Sequence, residues 1–318
     1  MNATVGAAVI AQGLTKRFGA FTAVDHLDLS IARGEVMGFI GPNGAGKSTT
    51  IRMFCGLIRP SAGRATVAGF DVGSQSQAVR EHIGYMSQKF SLYGDLTVRE
   101  NLRFFAGIYR VPQHELPERI LYALTMAGLK DQEDSLVFTL AGGWKQRLAL
   151  GCAIMHRPPV LFLDEPTSGV EPAARRVFWD LIHELASGGV TILVSTHYME
   201  EAEYCHRIAL IDRGKLVALG GPGELRTHGL GGELVEVTCT PLGTAIKALV
   251  GAPGVVDAAI FADKLHVVLA AGGLDVDTLP AFLTQHGVQA GLVREVPPSL
   301  EDVFVRMVSR GQDARSSA

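Results

Sequence analysis

Short apolar runs closed by glycine-rich or acidic chain set the frame of this sequence. Val36-Met37-Gly38-Phe39-Ile40 has the continuous hydrophobicity of a strand buried on both faces. After a glycine-rich turn, Thr49-Thr50-Ile51-Arg52-Met53-Phe54 predicts a helix. Pro159-Val160-Leu161-Phe162-Leu163 repeats the buried-strand pattern and ends in Asp164-Glu165-Pro166. Residues 8–70 predict a β-rich lobe wrapped around the first of these strands, with a turn at Ile31-Ala32-Arg33-Gly34-Glu35. Pro60 to Gly69 adds a turn and a strand. Residues 95–130 read as helical, opened by Thr97-Val98-Arg99-Glu100, the pattern of a capping box. Residues 159–212 return to alternating strands and helices, so the fold class is α/β.

Pro222-Gly223 and Gly229, Gly231 and Gly232 then punctuate the chain, and a linker is expected there. Beyond it the pattern runs strand (Leu234 to Thr240), helix (Thr244 to Val250), strand (Val255 to Phe261), strand (Lys264 to Leu269), helix (Thr278 to Gln285), strand (Val288 to Glu295). That β-α-β-β-α-β order is the ferredoxin-like one, a small α+β unit. Ser299-Leu300-Glu301-Asp302 looks like a second capping box opening a last helix after Pro298. The polar tail from Gly311 is expected to be disordered. The expected domains are therefore 1–228, 229–310 and a tail, 311–318.

Composition adds limits. With 318 residues, 47% of them hydrophobic and 19% charged, there is ample material for two cores. A net charge of -3 points to no nucleic-acid partner. Cys55, Cys152, Cys205 and Cys239 are scattered without a C-x-x-C pair, which fits a reduced, cytosolic setting better than a disulfide or zinc framework. No apolar run approaches the ~18 residues of a spanning helix. Met1 to Ile10 lacks the basic start of a leader and reads as the approach to a first strand.

The chemistry is concentrated at the strand ends. Gly41-Pro42-Asn43-Gly44-Ala45-Gly46-Lys47-Ser48 fits G-x-x-x-x-G-K-[ST] in the context that pattern needs, between a strand and a helix that continues through Thr49. Successive backbone N–H groups and a helix N-terminus would face one anionic ligand. Lys47 adds a positive charge for terminal phosphates, and Ser48 a hydroxyl for Mg²⁺, which prefers hard oxygen donors. In a parallel sheet the ligand crevice lies beyond the carboxyl ends of the strands. Asp164 is there a candidate for holding Mg²⁺, and Glu165 for polarising a water that attacks a γ-phosphate.

Leu140-Ala141-Gly142-Gly143-Trp144-Lys145-Gln146-Arg147 resembles the L-S-G-G-x-x-Q-R signature of ABC-family ATPase subunits. The other landmarks of that family follow in its order over residues 8–225. Gln88, in Ile83-Gly84-Tyr85-Met86-Ser87-Gln88, resembles the Q-loop glutamine, a metal contact facing the membrane subunit. Ser168-Gly169-Val170-Glu171-Pro172 resembles the D-loop. His197, after Ile192-Leu193-Val194-Ser195-Thr196, resembles the switch histidine that senses the γ-phosphate. Phe18 lies where the family places an aromatic against adenine, with Phe21 as a rival. Taken alone, His197 would be an ordinary strand-end histidine and Gln88 a loop residue; their order gives them roles. Two residues depart from the family pattern. Ala141 removes the hydroxyl that the signature offers to a γ-phosphate, a hydrogen bond worth about 1.5–3 kcal/mol. Glu171 stands where the D-loop has aspartate.

The resemblance implies a P-loop ABC-type ATPase domain, with β-rich lobe and helical subdomain, followed by the ferredoxin-like accessory domain. Pro298 to Phe304, Thr167 to Val170, Arg175-Arg176 and Trp179 look like the ABC-2 type (drug) exporter branch. It further implies ATP and Mg²⁺ as ligands and a head-to-tail pair with a second ATPase subunit, in which Gly142 and Gly143 of one copy complete the site of the other. A separate multi-spanning permease would be driven through Gln88 and Phe90 to Leu96, from the cytoplasmic face of the plasma membrane. A soluble ABC-type ATPase of translation or DNA repair is the alternative. ATP as a purely structural ligand is a third reading, opposed by the intact Glu165.

Overall fold

Val36–Ile40, Val160–Asp164 and Thr191–Thr196 are buried at every position, and they lie at the centre of one sheet. The computed structural model describes residues 6–88, 92–270 and 272–316, with side chains up to 308. The sheet has the order Lys215–Gly220, Arg207–Asp212, Val36–Ile40, Thr191–Thr196, Val160–Asp164, Ile83–Met86. The last five of these strands pair in parallel. Strands of a parallel sheet are covered on both faces, which is why they read as unbroken apolar runs. The expected helix begins earlier than its apolar residues suggest, at Lys47, and runs to Phe54.

The β-rich lobe is a separate antiparallel sheet of Phe21–Ala32, Ala7–Phe18, Ala62–Val67 and Phe70–Asp71. Val9, Leu14, Leu27 and Ile31 from this sheet join Met37, Phe39, Ile51, Phe54 and Phe162 in one core. Helices Val98–Ile108, Leu116–Ala127 and Gly142–Ala153 have their own core, built on Leu102, Ala106, Ile120, Ala123, Leu124 and Leu148. The Thr97 capping box is formed: Thr97 Oγ1 accepts from the Glu100 amide (3.1 Å), and Glu100 accepts from the Thr97 amide (2.8 Å). Buried Arg119 donates to the carbonyls of Met155 (2.9 Å) and Ile154 (3.2 Å), just past the end of Gly142–Ala153. A cation there satisfies orphan carbonyls and opposes the negative end of the helix dipole.

His156 ties this helical layer to the sheet. Its ring stacks on Tyr109 at 3.9 Å and its Nε2 donates to the Ile83 carbonyl at 3.0 Å. Burial pushes the imidazole down to about 4 from its ordinary 6.5. Between those values the unfolded chain binds a proton that the folded chain does not. Stability is therefore full above about pH 6.5 and falls as the pH drops toward 4. A separation of that size is worth roughly 3 kcal/mol, reduced to about 2 by the partial exposure of the ring. His156→Phe should flatten the fall of the unfolding midpoint between these pH values. A midpoint that falls as steeply in the variant removes His156 from the acid response.

The second compact unit starts at Gly220, earlier than the expected boundary after residue 228. The reason is a helix, Pro222–Gly229, where a linker was expected. Proline at a first helical position is a starter rather than a breaker, and Glu224 accepts from the Gly221 amide at 3.2 Å. Gly229 lies so close to Val303 of the final helix that a Cβ would collide with it. The sheet of this unit has the order Val255–Phe261, Lys264–Leu269, Glu233–Thr240, Gln289–Glu295, antiparallel throughout. That is the ferredoxin-like arrangement expected from the sequence. Leu242–Leu249 starts earlier than the expected Thr244: Pro241 takes the cap position, and its carbonyl accepts from the Thr244 and Ala245 amides (3.2 Å each). The final helix, Leu300–Ser316, is opened by Ser299 and Asp302 as expected, with the Asp302 amide donating to Ser299 Oγ (3.2 Å). It also runs through Gly311, where a disordered tail was expected. A glycine inside a helix costs about 1 kcal/mol relative to alanine and does not by itself end it.

Candidate active site

Four of the parallel strands release their functional residues at the same edge of the sheet. Val36–Ile40 leads into residues 41–46, Ile83–Met86 into Gln88, Val160–Asp164 into Glu165, and Thr191–Thr196 into His197. Strand order alone makes these residues neighbours.

Residues 41–46 bend tightly between strand and helix. Gly41 lies against the Ile211 carbonyl and Gly46 against that of Ala23, so closely that a Cβ would strike either. Gly46 also has φ 103°, a conformation that L side chains rarely adopt. Pro42, Asn43 and Gly44 are exposed, Ala45 is buried, and Ser48 and Thr49 are half-buried. Lys47 is 4% exposed. Its ammonium donates to the carbonyls of Gly41 (2.7 Å) and Pro42 (3.1 Å) and lies 3.4 Å from Glu165 Oε1. Burial pushes the Lys47 amine below its ordinary value, and the Glu165 charge partly restores it.

Glu165 is where the site converges. Its Oε2 accepts from Gln88 Nε2 at 2.9 Å and lies 3.5 Å from His197 Nδ1. The backbone turns sharply there, with φ 49°. It is held by Ser195, whose carbonyl and hydroxyl both accept from the Glu165 amide (3.1 and 3.0 Å). Asp164 Oδ1 accepts from Ser48 (2.9 Å) and from Ser195 (2.7 Å). Ser195 was missed in reading the sequence. The available signal was a hydroxyl directly after the apolar run Ile192-Leu193-Val194 of a fully buried strand, since buried polar groups have partners.

Lys47, Ser48, Gln88, Asp164, Glu165 and His197 are thus brought into one cluster. Ala141, Gly142 and Gly143 are not: among the described residues no hydrogen bond or ion pair joins them to it. Ala141 takes the cap position of Gly142–Ala153 with no side-chain bond to the helix. Gly142 is exposed, and a Cβ on Gly143 would press on Ala174 at 3.0 Å. Phe18 and Phe21 face each other across the hairpin, 51% and 64% exposed, so the structure leaves the stacking role open between them. Lys16 Nζ lies 5.0 Å from the Phe18 ring centre. Glu171 caps Pro172–Ser187 without a side-chain hydrogen bond to it. Phe90 lies outside the described residues.

Residues 24–168 match the family model described as ABC transporter. The chain is 50% identical over 239 residues to the probable multidrug ABC transporter ATP-binding protein YbhF of Escherichia coli, matching 75% of this chain and spanning 41% of that protein's length. Over 300 residues it is 36% identical to the Nod factor export ATP-binding protein I of Ralstonia nicotianae, covering 94% of this chain and 93% of that one. Among solved structures it resembles an ATP-binding cassette in a dimeric post-hydrolysis state with ADP and Pi. There the TM-score is 0.61 at 27% identity, over 67% of this chain and 98% of the other. The order of the sheet, the phosphate loop and these relatives agree: the chain belongs to the ATP-binding proteins of the ABC transporter family.

Proposed function

We propose that the chain binds ATP with Mg²⁺ in the cluster around Glu165, hydrolyses it, and powers export through a separate membrane permease as one of a head-to-tail pair of ATPase subunits. The observation that carries this reading is the convergence of Lys47, Gln88 and His197 on one buried carboxylate beside the Asp164–Ser48 pair. Ser48 Oγ and Asp164 Oδ1, 2.9 Å apart, are hard oxygen donors that suit Mg²⁺. When bound, Mg²⁺ would neutralise developing charge on the phosphates. Lys47 turns its ammonium to the terminal phosphates, and backbone N–H groups between Gly44 and Ser48 cradle them. Glu165 accepts the proton of the attacking water, held in place by Ser195 and Gln88. His197, on the same carboxylate, senses the γ-phosphate.

The names of the relatives as ATP-binding proteins of multidrug and Nod factor export support the export reading. The dimeric solved relative supports the pair. Among the described residues no helix is long and apolar enough to cross a membrane. We infer that the permease docks from the cytoplasmic face through Gln88 and the residues that follow it to Leu96, of which 92–96 are described. Purified chain should release phosphate from ATP only with Mg²⁺ present, and should copurify with a multi-spanning membrane protein. Absence of phosphate release overturns the enzymatic part, and copurification with ribosomes overturns the export part.

Ala141→Ser should raise ATPase activity about 2- to 5-fold, well short of the ~10-fold or more available to a fully used hydrogen bond to a charged group. Ala141 already caps its helix with extended backbone, φ −65° and ψ 157°, which serine adopts freely. Steady-state phosphate release measures this; a strong loss would mean that the alanine is required by packing.

A fragment of residues 1–219 should bind ATP with the affinity of the full chain. The cluster lies wholly before the unit that begins at Gly220, and that unit has its own core of Val235, Val237, Leu265, Val267, Leu279 and Leu283. Calorimetric titration with ATP decides it. A large loss of affinity in the folded fragment would place part of the nucleotide site in the second unit.

A further inference from the structure

Glu201 is 3% exposed, and no step assigned so far uses it. It lies in the short 3₁₀ turn Met199–Tyr204, shortly after His197. Its Oε1 accepts from Thr167 Oγ1 at 2.6 Å, and Thr167 is 1% exposed, just past Glu165. Its Oε2 is buried with no hydrogen-bond partner among the described residues. An under-bonded buried carboxylate is costly, so a neutral side chain would serve better if only packing were at stake. What the carboxylate supplies is a short, charge-assisted bond between two segments. One begins with the carboxylate of the site and the other with its imidazole.

A second tie runs beside the first. Arg175 Nε donates to the Val170 carbonyl at 2.8 Å, and its guanidinium lies 4.2 Å from the ring centre of Tyr198. Tyr198 in turn packs on His197, with ring centres 4.1 Å apart. Arg175 also lies 3.6 Å from Glu200 Oε1, so the chain after Glu165 is clasped to the chain after His197 through Thr167 and through Arg175, the former contact buried.

We propose that Glu201 is a positioning residue for hydrolysis: through Thr167 it fixes the segment that carries Glu165 against the one that carries His197. The proposal rests on the ATPase reading given above. It predicts an effect on turnover rather than on nucleotide binding, because neither Glu201 nor Thr167 bonds to the phosphate loop or to Asp164.

The test uses the full chain. Glu201→Ala should lower kcat for ATP about 10-fold or more, with KM and the calorimetric Kd for ATP within about 2-fold. Thr167→Val should do the same. The double variant should be no slower than the worse single variant, as for two halves of one bond. Glu201→Gln and Thr167→Ser, which keep acceptor and donor, should retain at least about a third of wild-type kcat, and they answer the question if Glu201→Ala does not fold. Unchanged kcat in Glu201→Ala, additive losses, a loss that falls on Kd, or failure of both conservative variants would each overturn the proposal. A wild-type chain that releases no phosphate would instead sink the ATPase reading itself.

Discussion

Glu165→Gln should bind ATP and turn it over about 10²- to 10⁴-fold more slowly than the wild-type chain, the range for losing a general base. The substitution keeps the size of the side chain but removes the charge that draws a proton from water. Gln88, which now donates to Glu165 Oε2, can still donate to an amide oxygen at that place. Asp164 and Ser48 are untouched, so the ligand contacts survive. The variant also takes from Lys47 the carboxylate 3.4 Å from its ammonium. Without nucleotide the ammonium then keeps, among the described residues, its hydrogen bonds to the carbonyls of Gly41 and Pro42 and the more distant charge of Asp164. The unfolding midpoint should drop without ATP and recover with it. Single-turnover phosphate release and thermal unfolding with and without ATP measure the two effects. Turnover near the wild-type rate would show that another group takes the proton.

Lys47→Ala should weaken ATP binding about 10- to 150-fold, corresponding to the 1.5–3 kcal/mol of a hydrogen bond to a charged group. The lysine is buried within the loop it would serve and is anchored to the carbonyls of that loop. Its ordinary partner, Glu165, is left as a buried charge without its cation, so the fold should lose stability as well. Titration calorimetry with ATP, beside a thermal melt to confirm a folded protein, separates the two losses. Unchanged affinity would remove Lys47 from the phosphate site.

Different parts of the molecule were legible in the sequence to different degrees. The buried strands Val36–Ile40 and Val160–Asp164 declared themselves because a sheet covered on both faces needs continuous apolar runs. The capping boxes at Thr97 and Ser299 were visible because helix ends demand local partners within three residues. Pro222–Gly229 was read as a linker because its helix depends on Val303, far along the chain, for a surface against which to pack. The passage of the last helix through Gly311 was missed for a related reason: glycine weakens a helix without deciding its end.

At the site, the sequence by itself named Lys47, Ser48, Asp164 and Glu165, because a phosphate loop and an acidic strand end are made of residues close together in the chain. It named Gln88 and His197 only through resemblance, since neither stands out by spacing or composition. Only the tertiary structure placed both on the same oxygen of Glu165, which it does by setting three strands from distant parts of the chain side by side in parallel. Ser195 and Glu201 belong wholly to that second kind. Their partners Asp164 and Thr167 lie some thirty residues away, and a hydroxyl or carboxylate bonds to whatever the packed sheet brings within reach, a proximity that no local pattern encodes.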